Sequence, residues 1–184
     1  MAEIIFITGG QRSGKSRFAQ QLAEQKSANP VYLATARAWD ADFKERIKRH
    51  QADRGNQWST IEEEKHISGL DLHGKTVLLD CITLWLTNIF HDNEYKVEEA
   101  LTQAKEEWTK FIQQNFTLIV VSNEIGMGII PEHESARKFA DLQGWMNQYI
   151  ASLANAVYLM VSGIPVKIKT TPTPSRLRRE EIQH

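Results

Sequence analysis

Apolar positions along the chain follow two periods. Short, nearly continuous apolar runs occur at Ile4-Ile5-Phe6-Ile7, Val31-Tyr32-Leu33, Val77-Leu78-Leu79, Leu118-Ile119-Val120-Val121 and residues 156–161. Runs of that length between polar stretches predict strands buried on both faces. Trp58-Ser59-Thr60-Ile61-Glu62 alternates and predicts a short edge strand, and Val166-Lys167-Ile168-Lys169 predicts a last short one after Pro165. Helical spacing fills the intervals. It runs through Phe18, Ala19, Leu22 and Ala23, then sparsely through Phe43 and Ile47 over residues 40–54, and then through residues 82–90. It continues through Val97, Ala100, Leu101, Ala104, Trp108, Phe111 and Ile112 over residues 95–114. A last stretch runs through Ala136, Phe139, Ala140, Met146, Tyr149 and Ile150 over residues 134–153. Strands alternating with helices predict an α/β fold with a doubly wound, mainly parallel sheet and helices on both faces.

Such sheets bind ligands beyond the carboxyl ends of their strands. Residues 9–16, Thr35, Asp80 and Asn123-Glu124 are therefore expected along one rim. The first of these stretches, Gly9-Gly10-Gln11-Arg12-Ser13-Gly14-Lys15-Ser16, fits G-x-x-x-x-G-K-[ST] between a strand and a helix. Its chemistry follows from its residue types. Glycines let backbone N–H groups turn inward around phosphate oxygens. The helix start adds unpaired N–H groups and a positive dipole end. Lys15 reaches the β- and γ-phosphates, and the Ser16 hydroxyl sits on Mg²⁺. Asp80 closes an apolar strand, where a carboxylate either holds the same Mg²⁺ or simply caps the strand end.

Charge and composition narrow the partners. The chain has 184 residues, 41% hydrophobic and 24% charged, with a formal net charge of −1. That balance suits one globular domain and calls for neither nucleic acid nor an anionic membrane as bulk partner. No apolar run approaches the roughly 20 residues of a membrane span, and no signal peptide is visible. Cys81 is the single cysteine, which fits a reducing, cytoplasmic setting and a structural role. Residues 1–169 are expected to form one catalytic domain. Residues 170–184, polar with Arg176, Arg178 and Arg179, are expected to be a mobile tail.

His50 is the remaining candidate for chemistry. A lone helical histidine is ordinarily structural or solvated, and Lys44, Glu45 and Lys48 share the segment with it. Arg46 and Arg54, one turn to either side, nevertheless make a cationic stripe suited to polyphosphate. The same charges disfavour imidazolium and keep a neutral, nucleophilic ring. The acidic run Glu62-Glu63-Glu64 reads as solvated. Trp108 reads as core, whereas Trp85, beside the rim, could face a bulky substrate or a partner subunit. On these residues a small-molecule phosphotransferase, a regulatory nucleotide switch and a non-catalytic nucleotide-binding module all stay open. The Asn-Lys-x-Asp guanine signature of switch GTPases is absent.

Taken together, several segments resemble the bifunctional adenosylcobinamide kinase/adenosylcobinamide-phosphate guanylyltransferase family over residues 4–169. They are the P-loop, Tyr32-Leu33-Ala34-Thr35-Ala36, Arg46-Ile47-x-x-His50-x-x-x-Arg54 and Leu79-Asp80-Cys81-Ile82-Thr83. Further on come Ser122-Asn123-Glu124-Ile125-Gly126-Met127-Gly128-Ile129-Ile130-Pro131-Glu132, Asn147-Gln148 and Val161-Ser162-Gly163-Ile164-Pro165-Val166-Lys167-Ile168-Lys169. The resemblance implies a P-loop sheet with one antiparallel strand and two reactions. In one, ATP or GTP phosphorylates the aminopropanol hydroxyl of adenosylcobinamide. In the other, GMP passes from GTP through a histidine, here His50, to adenosylcobinamide phosphate. It also implies nucleotide contacts at residues 9–16, at Ala34, Thr35 and Ala36, at Gln51, Ala52, Asp53 and Arg54, and at Glu62 and Asp80. Relatives can carry Glu where Asp80 stands. A homotrimer is implied as well. A P-loop small-molecule kinase without the guanylyl step is the alternative.

Overall fold

The computed structural model describes residues 1–37 and 55–170. The expected helix over residues 40–54, with Arg46, His50, Gln51, Ala52, Asp53 and Arg54, lies outside the described residues, as does the tail from residue 171.

Each apolar run forms a strand. These are β1 (Glu3–Gly9), β2 (Val31–Ala34), β3 (Ser59–Glu62), β4 (Thr76–Asp80), β5 (Thr117–Val121), β6 (Ala156–Val161) and β7 (Ile164–Lys169). The helices are α1 (Lys15–Lys26), α2 (Ile82–Asp92), α3 (Val97–Phe111) and α4 (Glu134–Leu153), with one 3₁₀ turn at Ile67–Gly69. The sheet order is β3-β2-β4-β5-β1-β6-β7. Every described pairing is parallel except β6 with β7.

The period of two within the apolar runs divides them between two cores. Ile4, Phe6, Val31, Leu33, Val77, Leu79, Leu118 and Val120 meet α2, α3 and α4 on one face. Ile5, Ile7, Leu78, Ile119 and Val121 meet Ala19 and Ala23 of α1 on the other. The three-helix side centres on aromatic rings. Trp108 is fully buried, with its ring centroid 6.3 Å from that of Trp85 and 5.9 Å from that of Phe111. No helix among the described residues is long and apolar enough to cross a membrane.

Three expectations need correction. Trp85 does not face the rim. It is fully buried and its indole N–H donates to the Lys65 carbonyl at 3.0 Å, because it shares the core stripe with Ile82, Leu86 and Ile89. The helix expected over 95–114 starts later, at Val97. Glu94 and Tyr95 have φ of 53° and 62°, which no helical turn accommodates. The last strand begins at Ile164 rather than after Pro165. β7 is an edge strand, and an edge tolerates the missing N–H of a proline.

Truncating Trp108 to alanine removes one of the two indole rings of the three-helix core. We expect a loss of about 3–5 kcal/mol of unfolding free energy by urea titration, with little change in the slope of the transition.

Candidate active site

The glycine-rich turn is built by close backbone packing. Gly9 has φ of +151°, and a Cβ on it would come within 2.6 Å of the Met160 carbonyl oxygen. Gly14 has φ of +93°, and its Cβ would lie 3.2 Å from Gly163 Cα. Gly14 also caps α1 without a side-chain acceptor, which leaves the N–H groups of the first turn for an anion. The turn is closed by Ser13 N–H donating to Gly10 O at 3.3 Å. From behind, Gly163 N–H in the β6–β7 turn donates to Ser13 O at 3.0 Å. The hydroxyls of Thr8 and Ser13 are buried and without a hydrogen-bond partner among the described residues.

Lys15 lies within this turn, 7% exposed, and its Nζ donates to Gly10 O at 2.6 Å. Burial holds its pKa below the ordinary amine value, against the opposing pull of Cys81 and Asp80. The Cys81 thiol is itself pushed up to about 12 by burial. It is therefore neutral near pH 7, which excludes a thiolate role and leaves Asp80 as the effective counter-charge to Lys15. Asp80 ends β4, half-buried, and its carboxylate acts electrostatically on Lys15. Ser16 opens α1 beside Lys15. Two hard oxygen donors at a phosphate turn fit Mg²⁺, which keeps water and substrate oxygens in its shell. No group of three or more His, Cys, Asp or Glu side chains that could hold a metal gathers among the described residues.

The register sets the rest of the rim. Ala34 pairs with both Glu62 and Asp80, and Val121 with both Asp80 and Ile7, so these strand ends lie level. Ser122 N–H and Glu124 N–H extend the pairing by donating to Ile7 O at 3.0 Å and Gly9 O at 2.9 Å. Asn123-Glu124 thus stand beside the phosphate turn, as expected. Glu62 is exposed at the end of β3, level with Ala34 and four strand spacings from β1 in the sheet order, or about 19 Å. Thr35 is fully buried and its hydroxyl donates to Cys81 O at 2.9 Å. On either side of it Ala34 and Ala36 keep partial exposure.

The hydrogen bonding of two buried polar groupings was not read from the sequence, although Ser122, Asn123 and Asn147 stand in segments that carry the resemblance. Gln143 and Asn147, one turn apart on α4, bind Ser122 Oγ at 2.8 and 2.7 Å, and Asn147 Nδ2 donates to Asn123 O at 3.1 Å. Asn88 on α2 donates to Thr35 O at 2.8 Å and Glu64 O at 3.0 Å. The available signal was an amide inside an apolar stripe, at the position before Ile89-Phe90 and again between Met146 and Ile150.

The family described as cobinamide kinase/cobinamide phosphate guanyltransferase matches residues 5–168. The chain is 38% identical over 181 residues to the bifunctional adenosylcobalamin biosynthesis protein CobU of Escherichia coli, covering 90% of this chain and 99% of that protein. It is 37% identical over 174 residues to the bifunctional adenosylcobalamin biosynthesis protein CobP of Pseudomonas aeruginosa, covering 90% and 97%. It is 36% identical over 181 residues to the CobU of Salmonella typhimurium, covering 90% and 99%.

The depressed pKa of Lys15 makes a signed prediction. The fold disfavours the ammonium, so the contribution of this group to stability rises as pH climbs from the folded pKa to the ordinary 10.5. Lys15→Met removes that cost at pH 7. The nucleotide-free variant should melt at or above the wild-type temperature in calorimetry, and should lose the stabilisation by GTP and Mg²⁺. Its turnover should fall roughly 10²–10³-fold. A clear drop in the melting temperature of the nucleotide-free variant would show that the bond to Gly10 outweighs burial.

Proposed function

The chain belongs to the cobinamide kinase/cobinamide phosphate guanyltransferase family, and from that premise we propose how its residues divide the two transfers. The observation that carries the proposal is the phosphate turn itself, with Lys15 seated in it and Asp80 level with it across the sheet. Residues 1–169 act as one catalytic unit on a nucleoside triphosphate and a corrinoid.

In the kinase transfer, the backbone amides of residues 9–16 and the Lys15 ammonium hold the β- and γ-phosphates of ATP or GTP. The aminopropanol hydroxyl of adenosylcobinamide attacks the γ-phosphorus. The bond to the β-bridging oxygen breaks, NDP leaves, and the hydroxyl proton passes to solvent or a rim carboxylate. Ser16 and Asp80 are the groups that would hold Mg²⁺. When bound, the ion neutralises charge on the phosphate oxygens. In the nucleotidyl transfer, GTP occupies the same turn and the β- and γ-phosphates become the leaving group. A His50 ring nitrogen attacks the α-phosphorus, an N–P bond forms and pyrophosphate departs. A phosphate oxygen of adenosylcobinamide phosphate then attacks that phosphorus, the N–P bond breaks, and adenosylcobinamide-GDP is released. The roles given to Arg46, Gln51, Ala52, Asp53 and Arg54 belong to this step and rest on the sequence.

Two surfaces support the acceptor side of the reading. Beyond Glu124, Met127, Ile129 and Ile130 are 78%, 95% and 77% exposed, an apolar loop at the rim suited to a large macrocyclic acceptor. Val161, Ile164, Val166 and Ile168 are also exposed on β6 and β7, which supports assembly into a homotrimer.

Incubation with GTP, Mg²⁺ and adenosylcobinamide should yield the phosphorylated and then the GDP-linked corrinoid by mass spectrometry. With α-labelled GTP the protein should carry an acid-labile, alkali-stable GMP, and His50→Ala should carry none. Label persisting in that variant would remove His50 from the mechanism. A phosphorylated corrinoid with neither label nor GDP adduct would leave a kinase alone.

A further inference from the structure

The two corrinoid nucleophiles differ in one respect. The phosphate oxygen of adenosylcobinamide phosphate attacks as an anion. The aminopropanol hydroxyl of adenosylcobinamide carries a proton that must leave as its oxygen bonds to the γ-phosphorus. A base within hydrogen-bond reach of that hydroxyl therefore serves the kinase transfer and has nothing to do in the final guanylyl step.

Among the described residues the rim offers carboxylates at Glu62 and Asp80, which end β3 and β4, and at Glu124, just past β5. Glu62 is four strand spacings from β1, and Asp80 acts on the Lys15 ammonium. Glu124 follows the strand next to β1, and its N–H donates to Gly9 O at 2.9 Å, against the first residue of the phosphate turn. The backbone leading to it is braced from three sides. Ser122 N–H donates to Ile7 O of β1 at 3.0 Å. Asn123 N–H and Nδ2 both donate to Thr83 Oγ1 of α2 at 3.1 Å, and Asn123 O accepts from Asn147 Nδ2 of α4 at 3.1 Å. Burial ends there, since residues 125–130 are all exposed. Glu124 is half-buried, and its Oε1 accepts from Gly126 N–H at 3.0 Å. That bond orients the carboxylate toward the loop and engages one of its two oxygens. A reactive group held by hydrogen bonds from rigid elements is preorganised for its task. The exposed apolar side chains Met127, Ile129 and Ile130 begin three residues later, so an acceptor seated on that loop lies beside Glu124 as well as the phosphate turn.

We propose that Glu124 is the general base of the kinase transfer, a catalytic residue that takes the aminopropanol proton. This rests on the reading of the phosphate turn as the place where the γ-phosphoryl group meets that hydroxyl. The Glu124 carboxylate accepts the proton as the hydroxyl oxygen bonds to the γ-phosphorus. The bond to the β-bridging oxygen breaks, and NDP leaves with its electron pair. The neutral carboxylic acid then returns the proton to solvent. The two carboxylates nearest the turn thus divide by their neighbours: Asp80 serves the lysine and the metal, and Glu124 serves the acceptor.

The test uses the full-length protein with GTP and Mg²⁺ at about pH 8, where a phosphomonoester acceptor is doubly ionised. Two rates are measured separately: phosphorylation of adenosylcobinamide, and GMP transfer to adenosylcobinamide phosphate supplied as substrate. Glu124→Gln keeps the shape and the acceptor for Gly126 N–H but removes the basic oxygen. It should lower kcat of phosphorylation about 10²–10³-fold, with KM for adenosylcobinamide and the rate of GMP transfer each within about threefold of wild type. The retained GMP transfer doubles as the control for folding and for binding of both substrates. Added formate should restore part of the phosphorylation in Glu124→Ala, which a merely structural role would not allow. Asp80→Asn should slow both transfers, because both use the metal. Phosphorylation by Glu124→Gln within about threefold of wild type, or equal loss of both rates, overturns Glu124 as the base and leaves the two-transfer reading in place. Loss of phosphorylation alone in Asp80→Asn, with Glu124→Gln unaffected, gives the role to Asp80 instead. A wild type that phosphorylates no adenosylcobinamide overturns the kinase reading and the base with it.

Discussion

Everything at this site depends on backbone meeting backbone around the phosphate turn. The turn occupies the narrow space between the end of β1 and the β6–β7 hairpin, where a side chain at Gly9 would strike Met160 O and one at Gly14 would press on Gly163. The antiparallel hairpin is thus part of the nucleotide site although none of its side chains need touch a nucleotide. Its turn, with Ser162 and Gly163 both at positive φ, offers one N–H to Ser13 O and holds the loop from behind. A parallel strand at that place would run onward past the rim and could not fold back to make the contact.

The two faces of the sheet divide the work. On the three-helix face, aromatic packing around Trp108 supplies the bulk of the core. On the other face α1 is the only described helix, and it carries the phosphate turn at its start. The element that binds ligand is therefore attached to the sheet by small residues, Ala19 and Ala23, which bring α1 close to β1, β4 and β5. Close approach sets Lys15 near Asp80, and the same closeness depresses the lysine. Binding geometry and electrostatic cost come from one packing decision.

How far the sequence reveals this varies with the range of the interaction. The strand ends were legible because buried runs stop abruptly at Gly9, Asp80 and Val121, and parallel register levels those stops. Trp85 misled because adjacency to Asp80 in the chain suggests adjacency at the rim. One helical turn is enough to carry a side chain into the core. The side-chain bonding of Arg37 was not legible at all. Its partners lie 27 and 55 residues away and are ordinary surface residue types, Glu64 and Asp92. Asn88, Gln143 and Asn147 were half-legible: an amide on an apolar stripe signals a buried hydrogen bond without naming its partner.

The bond between Lys15 and Gly10 O holds the ammonium inside the turn. A ligand must first displace that carbonyl from the ammonium. An isolated monoanion gains one contact for the one it breaks. A triphosphate also engages the amides of the turn and of the α1 start, so its net gain is larger. The self-contact therefore favours an anion that reaches past the ammonium to the backbone amides, as a chain of phosphates does.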